Sequence, residues 1–218
     1  MNIKAVIFDF NGTLLWDTKL HDDAFDIFLG KKGIRLSNQE KKDKIHGRHN
    51  EDIFNNIFPV KLTKEEIKAF SLEKEQIYRD ICLQTDLPLA PGATEFFDFL
   101  KSRKIPFTIA TGSERENVDF YFEHFQLNSW FDYSKVIYND GNIKSKPHPQ
   151  IFEIALNILG AQNTETLIFE DSVPGIQAAE NVKAGEIIII DSNNNDLSLW
   201  NYQKIKSFDE VDRKKFRY

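Results

Sequence analysis

Short apolar runs rich in β-branched residues alternate along the chain with longer amphipathic stretches, and few architectures accommodate that rhythm. Runs at Ile3 to Phe8, Pro106 to Ala110, Lys135 to Tyr138, Thr166 to Phe169 and Glu186 to Ile190 read as strands, mostly apolar on both faces. Between them, Thr94 to Arg103, Arg115 to Phe125, Pro149 to Leu159 and Gly175 to Val182 carry the spacing of one-sided helices. A strand that is apolar on both faces must be covered on both. The alternation therefore predicts an α/β fold, a doubly wound parallel sheet with helices on either side.

One stretch breaks the rhythm. From about Thr18 to Asp86 the chain spends roughly five times the residues of an ordinary crossover, and every amphipathic piece in it is helical in pattern: "HDDAFDIFLGKKG", "NEDIFNNIF" and "TKEEIKAFSLEKEQIYRDICLQT". Their Phe, Ile and Leu faces can be buried only against one another. The expected organisation is a core domain made of residues 1–17 and 87–218, with a small all-helical domain, 18–86, inserted in it. "DLPLAPGAT" returns the chain to the core, "DSNNNDLS" reads as a surface loop, and there is no internal repeat.

Composition narrows the function classes. At 218 residues with 41% apolar content the chain can bury a core without staples, and its single cysteine, Cys82, rules out an intrachain disulfide. No apolar run approaches the roughly 20 residues needed to span a bilayer, and the N-terminal residues lack the pattern of a secretory signal. A net charge of -6 argues against a nucleic-acid-binding face. A cytoplasmic, monomeric protein acting on a small molecule, with no nucleic acid or membrane partner, is the expectation.

In open α/β sheets ligands bind at the carboxyl ends of the strands, so the residues just after each run are the candidates. The first run ends in Asp9, the second in Thr111-Gly112-Ser113 and the fourth in Glu170-Asp171-Ser172, while "KSKPHP" offers Lys146 ahead of a helix. A carboxylate nucleophile, hydroxyls beside backbone donors, a lysine and a second acidic pair are the groups that phosphoryl transfer needs. Each alone has a plainer reading. Asp9 suits a turn, Thr111 or Ser113 the cap of the following helix, Lys146 a solvated surface, and Glu170-Asp171 a helix N-terminus.

The four motifs "DFNGT", "TGS", "KPHP" and "EDSVPGIQAA", in this order and at this spacing, resemble the haloacid dehalogenase superfamily. The similar branch holds β-phosphoglucomutase and sugar-phosphate phosphatases, enzymes with a Rossmann-like core and a helical cap. The resemblance implies that Asp9 accepts the phosphoryl group as an aspartyl-phosphate and that Thr111, Gly112 and Ser113 hold phosphoryl oxygens. It implies that Lys146 offsets charge and that Asp9, the main-chain carbonyl of Asn11, Glu170 and Asp171 hold Mg²⁺. It also implies a cap that closes over the site to exclude water and select the substrate, a small phosphorylated metabolite such as a sugar phosphate. His21, Arg48 and Lys74 are its expected substrate contacts, beside the plainer reading of a solvated helix face. "HGRHNED" resembles a cap turn whose glycine lets backbone approach the ligand.

Two positions depart from the family pattern. The usual residue two places after the nucleophile is an aspartate that moves the proton of the leaving oxygen; here it is Asn11, and an amide cannot exchange a proton near neutral pH. Mutase-type members resemble a pattern with arginine just before the Glu-Asp pair of the cap, where this chain has Asn50. The sequence leaves open an engineered trap, a natural variant suited to good leaving groups, a β-phosphoglucomutase-like mutase, and a phospho-ligand binder that has lost catalysis.

Overall fold

In the computed structural model, residues 2–45, 48–193 and 197–216 are described. The chain runs β1 (Ala5–Phe8), α1 (Thr18–Gly30), α2 (Asn38–Lys44), α3 (Asn50–Ile57), α4 (Lys64–Leu83), α5 (Ala93–Ser102), β2 (Phe107–Glu114), α6 (Arg115–His124), β3 (Ile137–Asn139), α7 (Gln150–Leu159), β4 (Thr166–Glu170), α8 (Val173–Asn181), β5 (Glu186–Ile190) and β6 (Gln203–Ile205). It divides into two compact units, one of Met1–Trp16 with Pro88–Tyr218 and the other of Asp17–Leu87.

The first unit is the expected doubly wound sheet. Its strand order is β3-β2-β1-β4-β5-β6, and every neighbouring pair is parallel. β1 lies inside the sheet with β2 on one side and β4 on the other, so the chain reverses its direction of winding around β1. That reversal opens a crevice at the carboxyl ends of β1, β2 and β4. The order of the strands thus puts three of the candidate motifs side by side.

Packing explains the order. Alternate residues of β1 point to opposite faces, and the register pairs Ile7 with Ile168 and Phe8 with Phe169. On one face Ile7, Ile168 and Ile187 pack with Ile151, Phe152 and Ala155 of α7 and Ala178 and Ala179 of α8. On the other, Phe8 is fully buried in an aromatic layer: it stacks on Phe169 at 5.1 Å between centroids and meets Phe97 edge-on at 5.4 Å. Phe96 and Phe208 close over the same ring.

The structure corrects several sequence boundaries. β1 starts at Ala5 because the amide of Ile3 bonds Lys215 instead of a neighbouring strand. β2 runs through Thr111, Gly112 and Ser113 to Glu114, with a register shift against β3 after Ala110. β3 begins at Ile137, since Tyr133–Lys135 form a 3₁₀ turn. α8 begins earlier than Gly175, with Ser172 as its N-cap. β6 was not expected at all: it has three residues, of which Gln203 and Lys204 are exposed, so it carries no apolar run.

The second unit is helical throughout, from α1 to α4. Phe25, Phe28 and Leu29 of α1 share a core with Ile53 and Phe54 of α3, and Phe70 of α4 packs against it. Both α2 and α4 begin with capping boxes, Ser37 with Glu40 and Thr63 with Glu66, which satisfy backbone donors that a helix start leaves open. His46 and Gly47 of the "HGRHNED" turn, and residues 194–196 of the "DSNNNDLS" loop, lie outside the described residues.

Because Phe8 joins six other rings across one face of the sheet, Phe8→Ala should destabilise the first unit by about 3–5 kcal/mol. A denaturant titration followed by tryptophan fluorescence measures it. A loss under about 1 kcal/mol would mean that the layer closes around the gap.

Candidate active site

The tip of β1 is shaped by Gly12. The ladder continues one residue past the strand, the amide of Asp9 donating to the carbonyl of Phe169 at 3.0 Å, and the chain then turns back, Gly12 N–H bonding Leu15 O at 2.6 Å. Gly12 has φ +80°, and a Cβ there would sit 2.2 Å from Asp171 Oδ2. Only glycine lets the β1 turn and the β4 carboxylate approach so closely.

Lys146, which the sequence also allowed as a surface residue, is buried at the centre of the site. Its ammonium donates to Asp9 Oδ1 at 2.6 Å and to Glu170 Oε1 at 2.5 Å. Burial works against the charged ammonium, but the Asp9 and Glu170 carboxylates outweigh it and raise its pKa above the usual lysine value. Glu170 is fixed further by the α8 N-terminus, where its Oε2 accepts from the amides of Asp171 and Ser172 at 3.0 and 3.1 Å and from the Ser172 hydroxyl at 3.0 Å. The cap of α8 is Ser172, whose hydroxyl accepts from Gly175 N–H, not the Glu170-Asp171 pair. Gly175 has no room for a side chain either, since a Cβ would fall 1.9 Å from the Glu170 carboxylate.

Asp9, Glu170 and Asp171 are all buried and each turns a carboxylate oxygen into one cluster, mutually within 4.8 Å. Asp171 accepts from Thr13 Oγ1 at 3.3 Å and from Asn193 Nδ2 at 3.0 Å. Its burial, together with the charges of Glu170 and Asp9, pushes its pKa well above the usual carboxylate range. Three buried carboxylates against one ammonium leave an excess of negative charge, and that donor set fits a divalent cation.

On β2, Thr111 and Ser113 face position 11. Ser113 Oγ donates to Asn11 Oδ1 at 2.7 Å, Thr111 Oγ1 lies 3.5 Å from the same oxygen, and Asn11 Nδ2 donates to the Tyr121 hydroxyl at 2.8 Å. Neither Thr111 nor Ser113 caps α6, whose N-cap is Glu114 without a side-chain cap bond. The site therefore unites Asp9, Asn11, Thr111, Gly112, Ser113, Lys146, Glu170 and Asp171 in one unit. Sequence reasoning missed Tyr121, Ser192 and Asn193. The last two stand at the end of β5, a strand end that the search for motifs passed over, and Ser192 Oγ donates to Gly12 O at 2.6 Å.

A sequence model of the haloacid dehalogenase-like hydrolases matches residues 3–183. The chain belongs to that family. It is 29% identical over 177 residues to fructose-1-phosphate phosphatase YqaB of Escherichia coli, covering 80% of this chain and 90% of that one. Over 191 residues it is 29% identical to the protein CbbY of Rhodobacter capsulatus, covering 82% of each. Among solved structures, a HAD hydrolase of family IA, variant 3, from Entamoeba histolytica is 35% identical, with a TM-score of 0.89 over 98% of this chain and 97% of that one.

In this haloacid dehalogenase-like hydrolase the helical unit carries a second polar cluster. Lys74, only 2% exposed, donates to Glu75 Oε1 at 2.9 Å and to His21 Nδ1 at 2.8 Å. The His21 ring stacks on Tyr78 at 3.8 Å with Nε2 3.4 Å from Asp17, and the Tyr78 hydroxyl donates to Asp17. Asn50 Nδ2 donates to Glu75 Oε1 at 2.9 Å. Lys74 is thus no part of a solvated helix face, and His21 is largely covered. Arg48 is exposed and outside the cluster, its guanidinium 3.4 Å from Asp43 O. Burial pushes the Glu75 carboxyl up, but Lys74, His21 and the Asn50 bond together hold it at about 2, against an ordinary 4.5.

A carboxyl depressed in the folded state stabilises it above the unfolded pKa and loses that contribution as pH falls through the folded one. Lys74→Met should therefore destabilise most at pH 7, where Glu75 is left charged and buried, by about 3–5 kcal/mol. The difference should shrink as pH falls towards 2, where Glu75 begins to protonate even beside Lys74. Urea unfolding across that range measures it, and a difference independent of pH would mean that the pair contributes no coupling.

Proposed function

We propose that the chain is a Mg²⁺-dependent phosphatase that hydrolyses a small phosphorylated metabolite, a sugar phosphate by preference, through a phosphorylated Asp9. The observation that carries this reading is the Lys146 ammonium buried between Asp9 and Glu170, with Asp171 beside them. A carboxylate meets a phosphate only where cations offset the repulsion, and this cluster supplies one and has the ligands for another. The phosphatase name of the E. coli relative supports the reaction class. Asn50 favours hydrolysis over a mutase reaction, because its amide is neutral and committed to Glu75. A cytoplasmic monomer fits a metabolite substrate.

Asp9 attacks phosphorus, the bond to the ester oxygen breaks, and the leaving oxygen departs with the bonding pair and takes up a proton. Water then attacks the acyl phosphate, the bond from phosphorus to Asp9 breaks, and inorganic phosphate leaves with the carboxylate restored. The Thr111 and Ser113 hydroxyls and the Gly112 amide hold phosphoryl oxygens, and Lys146 orients the Asp9 carboxylate. Asp9, Glu170, Asp171 and the main-chain carbonyl of Asn11 would hold Mg²⁺, which when bound neutralises charge on the transferring group. Of the three contacts expected from the helical unit, Lys74 is buried against Glu75 and His21, and Arg48 is the exposed cation left to meet a substrate. Asn11 cannot carry the proton, so esters with good leaving groups react best.

A second reading, a phospho-ligand binder without turnover, is favoured by Asn11 alone, and kinetics decides between them. Asp9→Asn should abolish phosphate release from p-nitrophenyl phosphate. Asn11→Asp should accelerate sugar-phosphate hydrolysis by about 10² or more, as a positioned general acid does, and help the aryl ester less. Equal sugar-phosphate rates with and without the change would remove the proton role from position 11.

Protonation of Asp171, whose pKa its burial and the charges of Glu170 and Asp9 raise, would compete with Mg²⁺, so the affinity should increase with pH. Calorimetric titration at several pH values reads this directly. Asp171→Asn should weaken binding at all of them, and unaltered affinity would place the metal elsewhere.

A further inference from the structure

Tyr121 belongs to none of the four motifs, yet its hydroxyl is bonded to the side chain at which this chain departs from them. Its ring is 1% exposed and lies nearly flat on Phe10, with centroids 4.3 Å apart and planes 21° from parallel. Phe10 is the residue between Asp9 and Asn11, so the stack fastens α6 to the tip of β1 itself. From this anchored position the phenol oxygen accepts from Asn11 Nδ2 at 2.8 Å, while Ser113 on β2 donates to Asn11 Oδ1 at 2.7 Å. The amide is gripped at both ends by groups on two separate elements.

We propose that Tyr121 is a positioning residue: it sets the orientation of the Asn11 side chain beside Asp9, and through Asn11 it sustains the rate of phosphoryl transfer. The inference rests on the phosphatase reading of this site. Without the phenol, the Asn11 amide would lose its bond on the α6 side and could spread over further rotamers. A loosened group next to the reacting atoms costs rate, because alignment is lost, and leaves ground-state affinity largely as it was.

Tyr121→Phe is the test, since it keeps the stack on Phe10 and removes only the hydroxyl. In ¹⁵N-labelled protein the Asn11 side-chain amide signals are identified as the pair that disappears in Asn11→Ala. In Tyr121→Phe they should shift and exchange faster with solvent. With p-nitrophenyl phosphate and Mg²⁺, kcat should fall about three- to tenfold, the loss of one hydrogen bond, with KM within about twofold. Tyr121→Phe added to Asn11→Ala should lower kcat no further, since the two changes break the same contact. Unchanged amide signals, an unchanged kcat, or an equal loss in both backgrounds would overturn the assignment. If the unaltered chain releases no phosphate from the aryl ester under any condition, the phosphatase reading falls and the rate role with it, whereas the amide signals still report whether the clamp exists.

Discussion

One buried ammonium, that of Lys146, holds the carboxyl ends of β1 and β4 together. β1 and β4 are hydrogen-bonded neighbours, so the carboxylates at their carboxyl ends, Asp9 and Glu170, are forced close in a place from which water is largely excluded. Two such charges repel strongly at low dielectric. Lys146, delivered from the segment ahead of α7, bonds both and converts repulsion into attraction. A buried pair of this kind contributes little net stability once desolvation is counted. Its value lies in geometry: it fixes the direction of the Asp9 carboxylate and ties a loop to two strand ends.

The same arithmetic bears on Asn11. The cluster already has Asp171 in excess, and a carboxylate at position 11 would add another negative group two residues from Asp9. The amide adds none and still bonds Ser113 and Tyr121. The turn after β1 therefore presents one carboxylate and one neutral amide within three residues.

Much of the core was legible because in a parallel sheet the ends of strands meet, so that Asp9, Thr111 and Glu170, far apart in sequence, share one edge. Lys146 was legible only as a partner for those acids. Residues whose role depends on a neighbour from another helix were opaque. Lys74 looks like any helix-surface lysine until Glu75 and His21 are seen to enclose it, and Tyr121 looks like a core aromatic until its hydroxyl is seen to reach Asn11. The short edge strand Gln203–Ile205 was opaque for a different reason, because its pairing is made by backbone that leaves no mark in side-chain pattern.

Just beyond the turn that follows β1, Leu15 pairs with Leu89, and the amide of Ala90 donates to Leu14 O at 2.8 Å. The excursion that makes the helical unit thus departs from and returns to the sheet unit at a clasp of adjoining backbone. Closure entropy rises only slowly with the length of chain beyond such a clasp. The stretch between these leucines could therefore grow or shrink at little entropic cost while the strand ends on either side of the clasp stay as they are, which makes the excursion a separable part of the chain.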